Sequence, residues 1–193
     1  RPVSSAASDV YKRQLRDGAQ TQGVHFSLDE KIKIANALDN LGVDYIEGGW
    51  PGANPTDTEF FQKNPKLKNS KFTAFGMTKK SGRSADNDPG LSAILNSNTS
   101  SVCVVGKSWD FHVDVALGIT NEENIENISE TTKHFVKNNK EFMFDAEHFF
   151  DGYKANQKYA LECIKAAYDN GAKWVVLCDT NGGTLPHEVS KIV

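Results

Sequence analysis

Five short apolar runs recur along the chain, each closing on polar or glycine residues: VDYIEGG (43–49), KFTAFGM (71–77), SVCVVGKS (101–108), EFMFDAEH (141–148) and KWVVLCDT (173–180). Runs of this length suit buried strands. Between them apolar residues recur at helical spacing: Ile32, Ala35 and Leu38; Leu91, Ile94 and Leu95; Ile125, Ile128, Phe135 and Val136; Leu161, Ile164 and Ala167. SLDE is a capping box, with Ser27 at the helix start and Glu30 three residues on, and Gly42 and Gly171 supply stops. The runs begin roughly 28 to 40 residues apart, the length of a βα unit. Strand alternating with helix predicts a parallel sheet with right-handed crossovers.

With a further strand ending near Leu15, the chain holds six such units. A doubly wound sheet is complete at five or six strands, whereas a (β/α)₈ barrel takes eight and about 250 residues. No GxGxxG follows the first strand, and polar residues gather where every strand ends, the place where barrel enzymes assemble their sites. The expected fold is therefore α/β, a partial (β/α)₈ TIM barrel with about six of eight units. Residues 15–193 form the incomplete barrel domain. Residues 1–14, RPVSSAASDVYKRQ, show neither alternation nor a helical stripe and are expected to be a disordered or foreign leader. The chain stops at TLPHEVSKIV, just as a sixth helix begins, so an N-terminal fragment is expected.

The balance of charges narrows the partners. A net charge of −3 without a polybasic run gives no footprint for nucleic acid or an anionic membrane surface. No stretch approaches the roughly 18 apolar residues of a membrane span, and the N-terminus lacks the apolar centre of a secretion signal. A cytoplasmic protein acting on small molecules is expected. Cys103, Cys163 and Cys178 are odd in number and widely spaced, which suits reduced, mostly buried thiols.

Arg16 and Asp17, in QLRDGAQ, put opposite charges side by side where the first strand ends. A carboxylate is a hard ligand for a divalent cation, and a guanidinium offers paired donors to a carboxylate or a developing oxyanion. Neighbours on a strand point to opposite faces, so both reach one centre only where the chain bends, and Gly18 is placed to make that bend. A surface ion pair is the other reading. Glu147 and His148 close the fifth predicted strand and suit an acid or base and a proton carrier, or else a solvated loop. Asp179, Thr180 and Asn181 close the sixth; a hydroxyl there can anchor a carboxylate, or the segment can form an Asx turn. Glu47 and Lys107 belong to the same strand ends, each weak alone. Trp50 and Trp109 read as packing residues. The remaining histidines show no paired ligand spacing, so Asp17 is the one credible metal ligand.

These residues carry a resemblance. LRDGAQ resembles the first-strand signature of the metal-dependent, acyl-CoA-condensing barrels that include 2-isopropylmalate, homocitrate and citramalate synthases. LGVDYIEGGWPGANPTD, GKSWDFHV, FDAEHFFDGYKAN and CDTNGGTLPHEV are similar to the (R)-citramalate branch, from Leu15 to the C-terminus. SDVYKRQ departs from the Asp/Thr-rich strand that precedes LRDG in that family. The resemblance implies that Asp17 ligates a divalent metal (Mn²⁺, Zn²⁺ or Mg²⁺), with the remaining ligands, a histidine pair, beyond Val193. It implies that Arg16 contacts a 2-oxo acid, Glu147 acts near that acid, Thr180 holds its carboxylate, and Gln20 assists in binding. It further implies acetyl-CoA as co-substrate, pyruvate as acceptor, citramalate for isoleucine and branched-chain synthesis as product, and a homodimeric full-length form. The chain alone is expected to be inactive. The alternatives are a sister synthase or related lyase, or a non-catalytic oxo-acid-binding module.

Overall fold

A computed structural model describes residues 10–193. Its strands are β1 (Tyr11–Lys12), β2 (Tyr45–Gly49), β3 (Lys71–Met77), β4 (Ser101–Lys107), β5 (Glu141–Glu147) and β6 (Trp174–Leu177). Its α-helices are α1 (Leu28–Leu41), α2 (Pro55–Lys63), α3 (Pro89–Leu95), α4 (Asp110–His112), α5 (Asn121–Lys137), α6 (Phe149–Ala155), α7 (Gln157–Asp169) and α8 (Pro186–Ile192). The hydrogen-bonded order is β1-β2-β3-β4-β5-β6, and the described registers are parallel. A doubly wound sheet reverses direction at a switch point; strictly sequential order is the barrel pattern. Among the described residues no helix is long and apolar enough to cross a membrane.

The five apolar runs became β2 to β6 within a few residues of their predicted limits, but the first strand differs. It lies at Tyr11–Lys12 rather than ending near Leu15, and it pairs Tyr11 with Tyr45 and Lys12 with Ile46. Two residues assigned to the leader are thus in the sheet; residues 1–9 of that leader lie outside the described residues. Leu15 is fully buried in the turn that follows.

The chain forms two compact units, one running to Phe75 with Ala93–Val102 added, the other comprising Gly76–Ser92 and Cys103–Val193. In the first, Ser27 Oγ accepts from the Glu30 N–H (3.3 Å) while the Ser27 N–H donates to Glu30 Oε2 (2.8 Å), closing the predicted capping box. Gly42 ends α1 at φ 82°, a conformation that costs a residue without Cβ little. Asp39 then accepts from the backbone N–H groups of Lys68 (2.9 Å), Asn69 (2.8 Å) and Ser70 (2.7 Å), fixing the loop into β3. Phe60, Phe61 and Phe72 form the core between α2 and β3, with Phe60 edge-on to Phe72 at 5.0 Å and Phe61 stacked on it at 4.8 Å.

In the second unit Phe135 of α5 stacks on Phe142 of β5 at 5.8 Å. Buried Asn124 donates to the Lys107 carbonyl (2.9 Å) and the Tyr159 hydroxyl (2.8 Å), so α5, β4 and α7 share one polar node inside an apolar layer. Burial pushes the neighbouring Cys163 thiol up to about 12 and the Tyr159 hydroxyl well above its usual value. Cys103 and Cys163 are buried and Cys178 is half-buried.

Candidate active site

The predicted residues occupy two clusters, one in each unit. In the first, Arg16 and Asp17 sit in a turn after β1, where the Arg16 (3.1 Å) and Asp17 (2.7 Å) N–H groups both donate to the Arg13 carbonyl. That turn makes the bend expected of Gly18. Gly18 itself takes no positive φ, and a Cβ there would meet Gln14 Cγ at an ordinary 3.6 Å. Its lack of a side chain is therefore not what turns the chain.

The Arg16 side chain lies largely buried, its guanidinium over the Phe75 ring at 3.8 Å. Nε donates to Glu47 Oε1 at 2.5 Å, and Nη1 donates to Asp17 Oδ1 (3.0 Å) and Gln20 Oε1 (3.2 Å). Nη2 makes no hydrogen bond among the described residues. Glu47 is fully buried and also accepts from the Tyr11 hydroxyl at 2.5 Å. With Nε and Nη1 committed, the protons of Nη2 are left to a ligand. Arg16, Gln20, His25, Lys31, Trp50 and Asp57 border a cavity of about 400 Å³ in this unit. Trp50 packs edge-on to Phe75 at 5.6 Å, as a packing residue should.

Glu47, weak when taken alone in the sequence, is thus the counter-charge of Arg16. The signal that locates it is tertiary: its neighbour across the sheet places Tyr11 within reach, and no local pattern encodes that. A β-bulge between Glu47 and Gly49 re-aims the strand end here.

In the second cluster Glu147 pairs with Lys107, the other residue that the sequence marks only weakly. Thr180 is exposed, and its Oγ1 accepts from the His148 backbone N–H at 2.9 Å, which leaves the hydroxyl proton free to point at a ligand. His148 takes a left-handed conformation (φ 55°), uncommon for a residue with a Cβ. Its Nδ1 stands 3.2 Å from Asp151 Oδ2, which also accepts from Asn181 Nδ2 at 2.9 Å. The imidazole is largely buried, edge-on against His112 at 4.3 Å and tilted against Trp109. Burial, then the adjacent His148 and Lys107, hold His112 below the usual histidine value. Asp179 is used locally: it accepts from the Thr184 hydroxyl (2.8 Å) and N–H (3.1 Å), and these bonds hold its carboxyl below the ordinary range. These bonds reach five residues on, not the two of an Asx turn, and Leu185 rather than Asp179 stands at the start of α8. Thr180 beside Asp179 keeps an open donor.

Asp17 is half-exposed and offers a hard oxygen donor. Among the described residues no group of three or more His, Cys, Asp or Glu could hold a metal ion. One carboxylate fits as a single ligand and does not make a site by itself.

Comparison with known proteins bears on the family and the fold. A curated (R)-citramalate synthase from Aquifex aeolicus (strain VF5) is 53% identical over 185 residues, 95% of this chain and 35% of that protein. One from Geobacter sulfurreducens is 46% identical over 186 residues with the same coverage. A 2-isopropylmalate synthase from Shouchella clausii is 31% identical over 185 residues. The chain thus spans about a third of the length of these relatives. Among solved structures, HMG-CoA lyase from Bacillus subtilis superposes with a TM-score of 0.76 at 18% identity, covering 95% of this chain and 62% of that one, which bears out the partial TIM barrel. The sequence profile described as HMGL-like matches residues 9–193, and the chain belongs to the HMGL-like family.

Proposed function

We propose that the chain carries the oxo-acid-binding part of an acyltransferase that condenses acetyl-CoA with pyruvate to give (R)-citramalate and CoA, a step toward isoleucine and the other branched-chain amino acids. The observation that carries this reading is the Arg16 guanidinium, held by Glu47, Asp17 and Gln20 with Nη2 uncommitted. The similarity to (R)-citramalate synthases supports the choice of substrates.

In this reaction a methyl proton leaves the acetyl thioester to a base, the resulting enolate carbon forms a C–C bond to the keto carbon, and the keto oxygen becomes an alkoxide that is protonated. Water then cleaves the thioester and releases CoA. Arg16 Nη2 donates to the keto oxygen and stabilises the charge that develops there, worth roughly 2.7–4 kcal/mol for one well-placed donor. Gln20 fixes the Arg16 fork. The Thr180 hydroxyl, its oxygen already accepting from His148, donates to the carboxylate of the oxo acid. Glu147 serves as acid or base beside the oxo acid, oriented by Lys107. Asp17 would supply one ligand to a divalent metal (Mn²⁺, Zn²⁺ or Mg²⁺). When bound, that ion supplies Lewis acidity. A cytoplasmic, homodimeric full-length enzyme completes the reading.

A 2-isopropylmalate synthase is the second reading, favoured by the Shouchella clausii relative. The test is a chimera in which this chain replaces the matching segment of the Aquifex aeolicus protein. CoA release is assayed with pyruvate, 2-oxoisovalerate and 2-oxoglutarate. Preference for pyruvate supports the proposal, preference for 2-oxoisovalerate supports the second reading, and binding without CoA release from any of the three sinks both in favour of a binding module.

A further inference from the structure

Lys31 lies in LDEKIKI, a stretch that reads as the solvated start of an amphipathic helix, yet its side chain is 3% exposed. Nζ donates to the Leu15 carbonyl (3.0 Å), to the Gly48 carbonyl (3.0 Å) and to Asp57 Oδ1. Three acceptors match three ammonium protons. Asp57 is itself held: its N–H donates to Asn54 Oδ1 (2.8 Å), and its Oδ2 accepts from the Trp50 N–H (2.9 Å). Gly49 permits this approach, since a Cβ there would fall 2.5 Å from Asp57 Cγ.

The two carbonyls are not arbitrary. Leu15 immediately precedes Arg16, and Gly48 immediately follows Glu47, so one cation grips the backbone beside each member of the Arg16–Glu47 pair. An apolar side chain of similar volume fills such a space at less desolvation cost than a lysine. A lysine here does what an apolar residue cannot: it fixes the distance between two chain segments by directed bonds. We infer that Lys31 is a positioning residue, which sets the Arg16–Glu47 pair and through it the direction of Arg16 Nη2. This rests on the reading of Arg16 as the oxo-acid contact.

The test is arginine side-chain NMR on the chain labelled with ¹⁵N-arginine, with the Arg16 Nε–H resonance assigned by its loss in Arg16→Lys. Wild type, Lys31→Met and Asp57→Asn are compared by water exchange of that proton, with the amides of Phe72 and Ala74 in β3 as monitors of the unit's overall stability. The expected result is exchange at least about tenfold faster in Lys31→Met relative to the β3 amides. In Asp57→Asn, which keeps both carbonyl bonds, the Arg16 proton stays near wild type even where the β3 amides exchange faster. Unchanged Arg16 exchange in Lys31→Met, or Arg16 exchange that follows the β3 amides in both variants, overturns the inference. If Lys31→Met does not fold, Lys31→Gln is measured against the same criterion, and loss of the fold in both variants also overturns a local role. No oxo acid is present in this experiment, so its failure and the failure of the pyruvate assay are separate results.

Discussion

Replacing Glu47 separates the charge it supplies from the hydrogen bonds it accepts. Glu47 has no solvent exposure and accepts, among its bonds, those from the Tyr11 hydroxyl and from Arg16 Nε, while the Arg16 side chain is itself about nine-tenths buried. In Glu47→Gln the amide oxygen can still accept from Nε, and its NH₂ can donate to the Tyr11 oxygen after the hydroxyl rotates. Geometry survives and charge assistance goes, a difference of roughly 1–1.5 kcal/mol between a charged and a neutral bond. Glu47→Ala removes both acceptors and leaves a buried guanidinium without its main counter-charge, which costs about 3–5 kcal/mol. The remaining Asp17 and Gln20 contacts offset part of this, because Asp17 is half-exposed and screened.

Urea unfolding followed by Trp50 fluorescence, with Trp109 and Trp174 replaced by Phe, reads the unit that contains the pair. The expected order is wild type, then Gln, then Ala, with Ala below Gln by about 2 kcal/mol or more. Equal losses in the two variants would show that charge and acceptors contribute nothing separable. A loss below about 1 kcal/mol in Glu47→Ala would refute the buried-pair argument.

Gly49→Ala should destabilise the same unit by about 2–4 kcal/mol, from the clash with Asp57 and the positive φ of 151°, and the urea midpoint checks it. Asp39→Asn should cost roughly 1–2 kcal/mol at neutral pH. Burial opposes the Asp39 charge, but the Lys68, Ser70 and Asn69 N–H bonds outweigh it and lower its pKa, so its contribution is present above the unfolded value and fades as pH falls through the folded value. The gap between Asp39→Asn and wild type should therefore narrow below about pH 4 in thermal melts, and a gap that widens there refutes the assignment. In the native chain at mildly alkaline pH, Cys178 should react with a thiol reagent before Cys163, whose buried thiol titrates only near about 12; equal rates by peptide mapping would contradict this. At His148, Asn should preserve the left-handed turn and the N–H bond to Thr180, whereas Val should cost about 1–3 kcal/mol and weaken pyruvate binding in the chimera, read as KM.

Local chemistry made much of the molecule legible. The alternation of buried runs with amphipathic stretches follows from which backbone periodicity buries apolar side chains, so β2 to β6 and the capping box at Ser27 and Glu30 could be read directly. The polar strand ends were legible for the same reason: a strand that leaves the core must end on residues that tolerate water. What one chain segment cannot encode is its neighbour. Tyr11 and Lys12, dull in sequence, become a strand because β2 offers them an edge; that register brings Tyr11 to Glu47 and makes Glu47 the partner of Arg16. Lys31, polar by type and placed early in a helix, goes into the interior because three acceptors from three separate segments converge on it. The sequence by itself determined the elements and the residue types at their ends, since those depend on interactions within a few residues. Tertiary structure alone decided which charges are buried together, because the cost of burying a charge is met only by a partner whose distance is set by strand register and helix packing.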